Sequence, residues 1–116
     1  MSLHQQRLNA EFARALSECM RQIKDPRYCQ LTSVMNVEIT KDMKYAKVQV
    51  SVYDDDPEKR KQTIEVLNSA QGMLAHEMND KLKLRRVPHM NFVLDDSIEY
   101  SVHISKLLDE LNINRD

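Results

Sequence analysis

Glycine is nearly absent: Gly72 is the only one in 116 residues. A phosphate-cradling loop needs several, so neither a P-loop nor a dinucleotide-binding fingerprint can be written on this chain. Tryptophan is missing, and two phenylalanines and four tyrosines complete the aromatics. A platform that stacks single-stranded bases calls for more of them, correctly placed. Two cysteines, Cys19 and Cys29, do not make a disulfide framework and fit a reducing compartment. No apolar run reaches the length of a membrane span. The N-terminal Met-Ser-Leu-His-Gln-Gln-Arg lacks the apolar core of a signal peptide. A cytoplasmic location is expected, with no membrane partner. Charge of one sign is not in excess either, since the formal net charge is −1. Nucleic-acid-binding domains are usually basic, so any RNA binding must rest on segregated charge. Acids gather at Asp54-Asp55-Asp56 and Asp95-Asp96, and bases at Lys81, Lys83, Arg85 and Arg86.

Signals of catalysis are equally thin. His4, His76, His89 and His103 are scattered, without His-Glu-x-x-His or Cys-x-x-Cys spacing. No nucleophile elbow is present. Asp95-Asp96 reads more simply as a strand end and helix cap than as a carboxylate pair, because neighbours in a strand point to opposite faces. The expectation is a protein that is not an enzyme and has no cofactor or metal site.

What is present is an ordinary globular balance, 41% hydrophobic and 30% charged, in one domain over residues 1–116. Leu8, Phe12, Leu16, Cys19 and Ile23 form the apolar stripe of a first helix over about Leu3 to Lys24, which Pro26 stops. Arg7, Arg14 and Arg21 recur every seven residues on its other side. They read either as a ridge facing phosphate or as a solvated face laced with Glu11 and Glu18. Two strands with period-two alternation follow, Leu31 to Thr40 and Tyr45 to Tyr53. A short link between them, without glycine, predicts a hairpin built on a type I turn. Asp54-Asp55-Asp56-Pro57-Glu58 is a helix start: an aspartate caps, and Pro57 takes the first helical position. Met90, Phe92 and Leu94 alternate in a third strand, and Ile98, Val102, Ile104, Leu107, Leu108 and Leu111 outline a last helix. A helical crossover between strands two and three makes a parallel pair plausible. The order predicts one layer of helices on a small sheet, an α+β domain.

The stretch from Ile64 to Met78 breaks its own rules. Ile64, Leu67, Leu74 and Met78 share a helical face. Yet Gly72 costs about 1 kcal/mol inside a helix, and Asn68 and Ser69 favour caps over helix interiors. Gln71 points into the apolar face between Leu67 and Leu74. Such clustered breaks often mark functional sites. The stretch therefore predicts two helices, the second starting near Ser69 to Gly72. That N-terminus would attract anions, phosphate above all. A packing kink that wraps the helix on the sheet would explain the break equally well.

Five short segments carry a resemblance. They are Asp25-Pro26-Arg27, Asp42-x-x-Tyr45-Ala46-Lys47-Val48, Leu67-Asn68-Ser69-Ala70-Gln71-Gly72, Arg85-Arg86-Val87-Pro88 and Phe92-x-x-Asp95-Asp96-Ser97. In this order and spacing, the chain resembles the bacterial ribosome-binding factor A family over essentially its whole length. The resemblance implies a type II KH-like fold, α-β-β-α-(kink)-α-β. With the additional C-terminal helix, it would be a three-stranded mixed sheet with helices on one face. It implies that Ala70-Gln71-Gly72 replaces the Gly-x-x-Gly loop of ordinary KH domains. The function implied is non-catalytic binding to the small ribosomal subunit and its rRNA in late maturation, with roles in rRNA processing and cold adaptation.

Asn68, Ser69, Ala70, Gln71 and Gly72 are thus expected to present the kink to RNA. Arg27, Lys41, Lys44, Lys81, Lys83, Arg85 and Arg86 are expected to supply positive charge. The free protein is expected to be a monomer. The alternatives are an α+β protein-interaction adaptor without direct RNA binding, and a small enzyme without a visible motif.

Overall fold

The computed structural model describes residues 2–95. The expected last helix and the tail after it lie outside the described residues. Within them the order is α1 (Leu3–Met20), β1 (Thr32–Ile39), β2 (Tyr45–Val52), α2 (Pro57–Ser69), α3 (Gln71–Leu82) and β3 (His89–Leu94). The sheet runs β1-β2-β3, with β1 antiparallel and β3 parallel to β2. The architecture is the α+β, KH-like arrangement expected.

α1 is capped by the Ser2 hydroxyl, which accepts from the Gln5 N–H at 3.1 Å. It ends at Met20, four residues short of the expected Lys24. The chain then tightens through Gln22 N–H to Cys19 O and Ile23 N–H to Met20 O, at 3.1 and 3.2 Å. This tight turn keeps Ile23 buried, and the Gln30 amide donates to its carbonyl. Phe12, Leu16 and Cys19 pack against Val37, Val48, Leu74 and Met90 in one core. Each such side chain contributes about 1.5–3 kcal/mol when fully buried. α2 starts as its sequence dictates, with Asp56 accepting from the Glu58 N–H and Pro57 at the first position. α3 runs on to Leu82, past the expected Met78, and closes on Lys83 in the left-handed region (φ 54°), whose N–H reaches Asn79 O.

The sheet buries Val37, Ile39, Ala46, Val48, Val50, Met90 and Phe92 under the helices. Glu38, Tyr45, Lys47, His89 and Asn91 occupy the opposite phase and are exposed. One expectation fails in β1. Unbroken alternation would bury Leu31 and Met35, but they are 67% and 44% exposed. The register moves from Val34↔Val50 to Asn36↔Gln49, leaving Met35 as the extra residue of a β-bulge. One extra residue inverts the phase of everything before it, so Val34 turns toward the core instead.

Candidate nucleic-acid interface

The two sheet edges determine what the break between α2 and α3 does. On the β1 edge, Asn9 of α1 accepts from the Ile39 N–H at 3.2 Å, and Gln5 donates to the Ile39 carbonyl at 3.1 Å. On the β3 edge, Asn68 accepts from the Phe92 N–H at 3.1 Å and donates to its carbonyl at 3.4 Å. Gln71 accepts from the Met90 N–H at 3.1 Å and donates to the Met90 carbonyl. Side-chain amides therefore take the place of a fourth strand along β3. Unpaired edges invite pairing with other chains, and native proteins blunt them.

This explains the polar residues of the stretch. Gln71 does point inward, as its spacing predicts, but its partner there is the β3 main chain. The break sits at Ala70 (φ −89°, ψ 15°), which caps both helices. Its N–H is shared between Val66 O and Leu67 O, at 3.0 and 3.2 Å, and its carbonyl accepts from the Leu74 N–H. The Ser69 hydroxyl folds back onto Val66 O. Gly72 is not the break. It has no positive φ, and a Cβ added to it would meet nothing within 4 Å. Neither backbone nor packing requires a glycine there, so what it contributes is open space near the start of a helix without a side-chain cap.

Gln71, Gly72, Lys44, Arg86, Pro88 and His89 line a concavity of about 250 Å³. The hairpin delivers Lys44. Thr40 to Met43 closes a turn (Met43 N–H to Thr40 O, 2.9 Å), and Met43 takes the left-handed position (φ 64°) that glycine usually fills. Asp42 holds the turn, accepting from the Thr40 hydroxyl at 2.6 Å and the Lys44 N–H at 3.0 Å. These donors, the Thr40 hydroxyl first, hold its carboxyl below the usual range. Lys44 O in turn accepts from the His89 N–H, tying the hairpin to the start of β3.

The predicted cations divide. Lys44 and Arg86 flank the concavity and form no salt bridge among the described residues. Lys41 lies exposed on the same hairpin, and Arg85 beside Arg86. Lys81 lies toward the other end of α3, paired with Glu18 of α1 at 3.0 Å. The pairing lowers the Glu18 pKa and raises that of Lys81. The Lys83 main chain forms the helix cap, while its exposed side chain forms no salt bridge among the described residues and does not line the concavity. Arg27 lies near the start of α2 and away from the concavity, where Thr63 reaches its carbonyl. Its guanidinium grips Asp25 at 3.0 and 3.2 Å. Arg7 and Arg14 on α1 and Arg21 just past its end are exposed and take no part in the concavity. Sequence reasoning passed over His89, which lines the concavity, and Tyr45, whose ring meets His89 edge-to-face at 6.4 Å.

Both cysteines are buried. Burial, with Glu77 nearby, pushes the Cys19 thiol up to about 11, far from a nucleophilic thiolate at neutral pH. Among the described residues, no helix is long and apolar enough to cross a membrane, and no group of three metal-ligating side chains occurs.

Comparison with known proteins agrees with this architecture. A solution NMR structure from Thermotoga maritima superposes with a TM-score of 0.71 at 33% identity, covering 80% of this chain and 88% of that one. The crystal structure of ribosome-binding factor A from Thermus thermophilus gives a TM-score of 0.69 at 26% identity, covering 78% and 93%. Coordinates of the Thermus thermophilus factor fitted into a cryo-EM map of a 30S complex give 0.66 at 26% identity. In sequence, ribosome-binding factor A of Caldanaerobacter subterraneus is 43% identical over 113 residues, 97% of this chain and 92% of that protein. The Clostridium beijerinckii protein of that name is 38% identical over 107 residues, 91% of each. A family model described as ribosome-binding factor A matches residues 4–108. The chain belongs to the ribosome-binding factor A family.

Proposed function

We propose that this protein binds the small ribosomal subunit through its rRNA, and that the concavity at the start of α3 and β3 is the contact. The carrying observation is that Lys44 and Arg86, both without a salt bridge among the described residues, converge on the open surface at Gly72. Two cations beside a helix N-terminus make an anion site. Gly72 lets an RNA backbone approach without a side chain in the way. A relative fitted into a 30S map supports the choice of subunit. The role is non-catalytic: a cytoplasmic monomer holds one arrangement of rRNA during late maturation and processing, as growth in the cold demands. Lys41 and Arg85 widen the positive rim. Asn68, Ser69 and Ala70 act by shaping the kink, and Lys81, Lys83 and Arg27 are peripheral.

The test is sedimentation of the chain with isolated small subunits over a range of salt. Binding should weaken as salt rises, and a Lys44→Glu/Arg86→Glu variant should bind less, with a salt slope shallower by about 1 for each phosphate contact removed. Binding insensitive to both salt and these charges would refute the reading and favour the adaptor.

A further inference from the structure

We propose that Tyr45 and His89 form a stacking site for one unpaired nucleobase beside the cationic concavity. The site would then take a nucleotide of single-stranded RNA, not phosphate alone. The inference rests on the rRNA reading above and adds the base to it.

Tyr45 and His89 open β2 and β3 and are register partners in the parallel pair. Both fall in the strand phase that faces away from the helices, and the Tyr45 residue is 57% exposed. Their ring planes stand at 81° with centroids 6.4 Å apart. An edge-to-face pair leaves ring faces uncovered that a parallel stack would hide. A planar base can add to such a face, and stacking tolerates any base because each has a π-face. Single exposed tyrosines are common and mean little. Here the pair adjoins the cations: His89 itself lines the concavity with Lys44 and Arg86. Lys44 directly precedes Tyr45, and the His89 N–H bonds to its carbonyl at 2.9 Å. The main-chain segments that carry the cation and the rings are thus tied together, which sets a phosphate site beside a base site. Few aromatics are needed when two are brought to one spot.

The experiment uses the full chain and a short oligoribonucleotide whose single nucleobase is a central 2-aminopurine, all other positions being abasic, alongside the same strand abasic throughout. Wild-type protein should quench the 2-aminopurine fluorescence and bind the base-bearing strand more tightly than the abasic one. Tyr45→Phe should keep both properties. Tyr45→Thr, which retains a β-favouring residue, should abolish the quenching and weaken the base-bearing strand roughly 5- to 100-fold, leaving abasic binding unchanged. His89→Ala should act in the same direction and decides the matter if Tyr45→Thr does not fold. Lys44→Ala and Arg86→Ala should weaken both strands alike. Unchanged quenching and affinity in the ring variants, with binding still lost in the charge variants, would overturn the stacking site and leave the rRNA reading standing. Failure of wild-type protein to bind either strand would overturn the stacking site, while the rRNA reading stands or falls on the sedimentation with small subunits.

Discussion

Replacing Gln71 by leucine sets pattern and structure against each other. By periodicity, leucine repairs the apolar stripe between Leu67 and Leu74, and burying it should stabilise the protein by about 1–2 kcal/mol. The structure predicts the opposite sign. Gln71 is the partner of both the N–H and the C=O of Met90 on the outer edge of β3. Stranding a buried polar group costs about 1–3 kcal/mol. Gln71 is half-buried and borders the concavity, so water recovers part of that loss. The low end for each group gives about 2 kcal/mol for the two. Leucine's own burial offsets up to half, leaving a net loss of about 1 kcal/mol. With a urea slope of about 1–3 kcal/mol per molar, the unfolding midpoint should fall by roughly 0.3–1 M. Hydrogen exchange supplies a local readout: the Met90 amide should exchange faster in the variant, while the Val93 amide, on the opposite edge of the strand, should be less affected. A higher midpoint, or a Met90 amide as protected as in the wild type, would refute the claim that Gln71 closes the sheet edge.

Other consequences follow from the same geometry. Gly72→Ala should fold normally and gain up to about 1 kcal/mol in thermal stability, because nothing lies within 4 Å of the added Cβ; a clear loss would mean that the glycine serves the fold. Asp42 is held below its ordinary value of 3.8 by the Thr40 hydroxyl and the Lys44 N–H. A depressed carboxylate stabilises the fold above its unfolded pKa, and that contribution disappears as pH falls through the lower folded value. Urea midpoints should therefore separate wild type from Asp42→Asn near neutral pH and bring them together in acid. A gap that stays constant from neutral pH into acid would count against the turn.

Some of this was legible in the sequence because it is local. Asp56-Pro57 starts α2, the stripe of α1 faces the core, and Lys44 and Arg86 were recognised as available charge. The interruption after Asn68 and Ser69 was visible too, though its cause was not. Gly72 looked responsible because a glycine inside a helix is the usual suspect. The structure assigns the turn to Ala70 and assigns Asn68 and Gln71 on either side of it to the sheet edge. Nothing in a linear sequence tells that Lys81 meets Glu18 or that the Arg27 guanidinium meets Asp25.

The sequence by itself determined the order of elements, the capped start of α2 and the faces of the helices. Those depend on periodicities of two and 3.6 residues and on contacts within a turn. Only the tertiary structure decided the bulge at Met35, the pairing of Gln71 and Asn68 with β3, and the meeting of Tyr45 with His89. Each depends on register between segments far apart in the chain, 19 residues for Gln71 and Met90 and 24 for Asn68 and Phe92. Local propensity carries no information about such register. It is set when the packed core aligns one strand beside another.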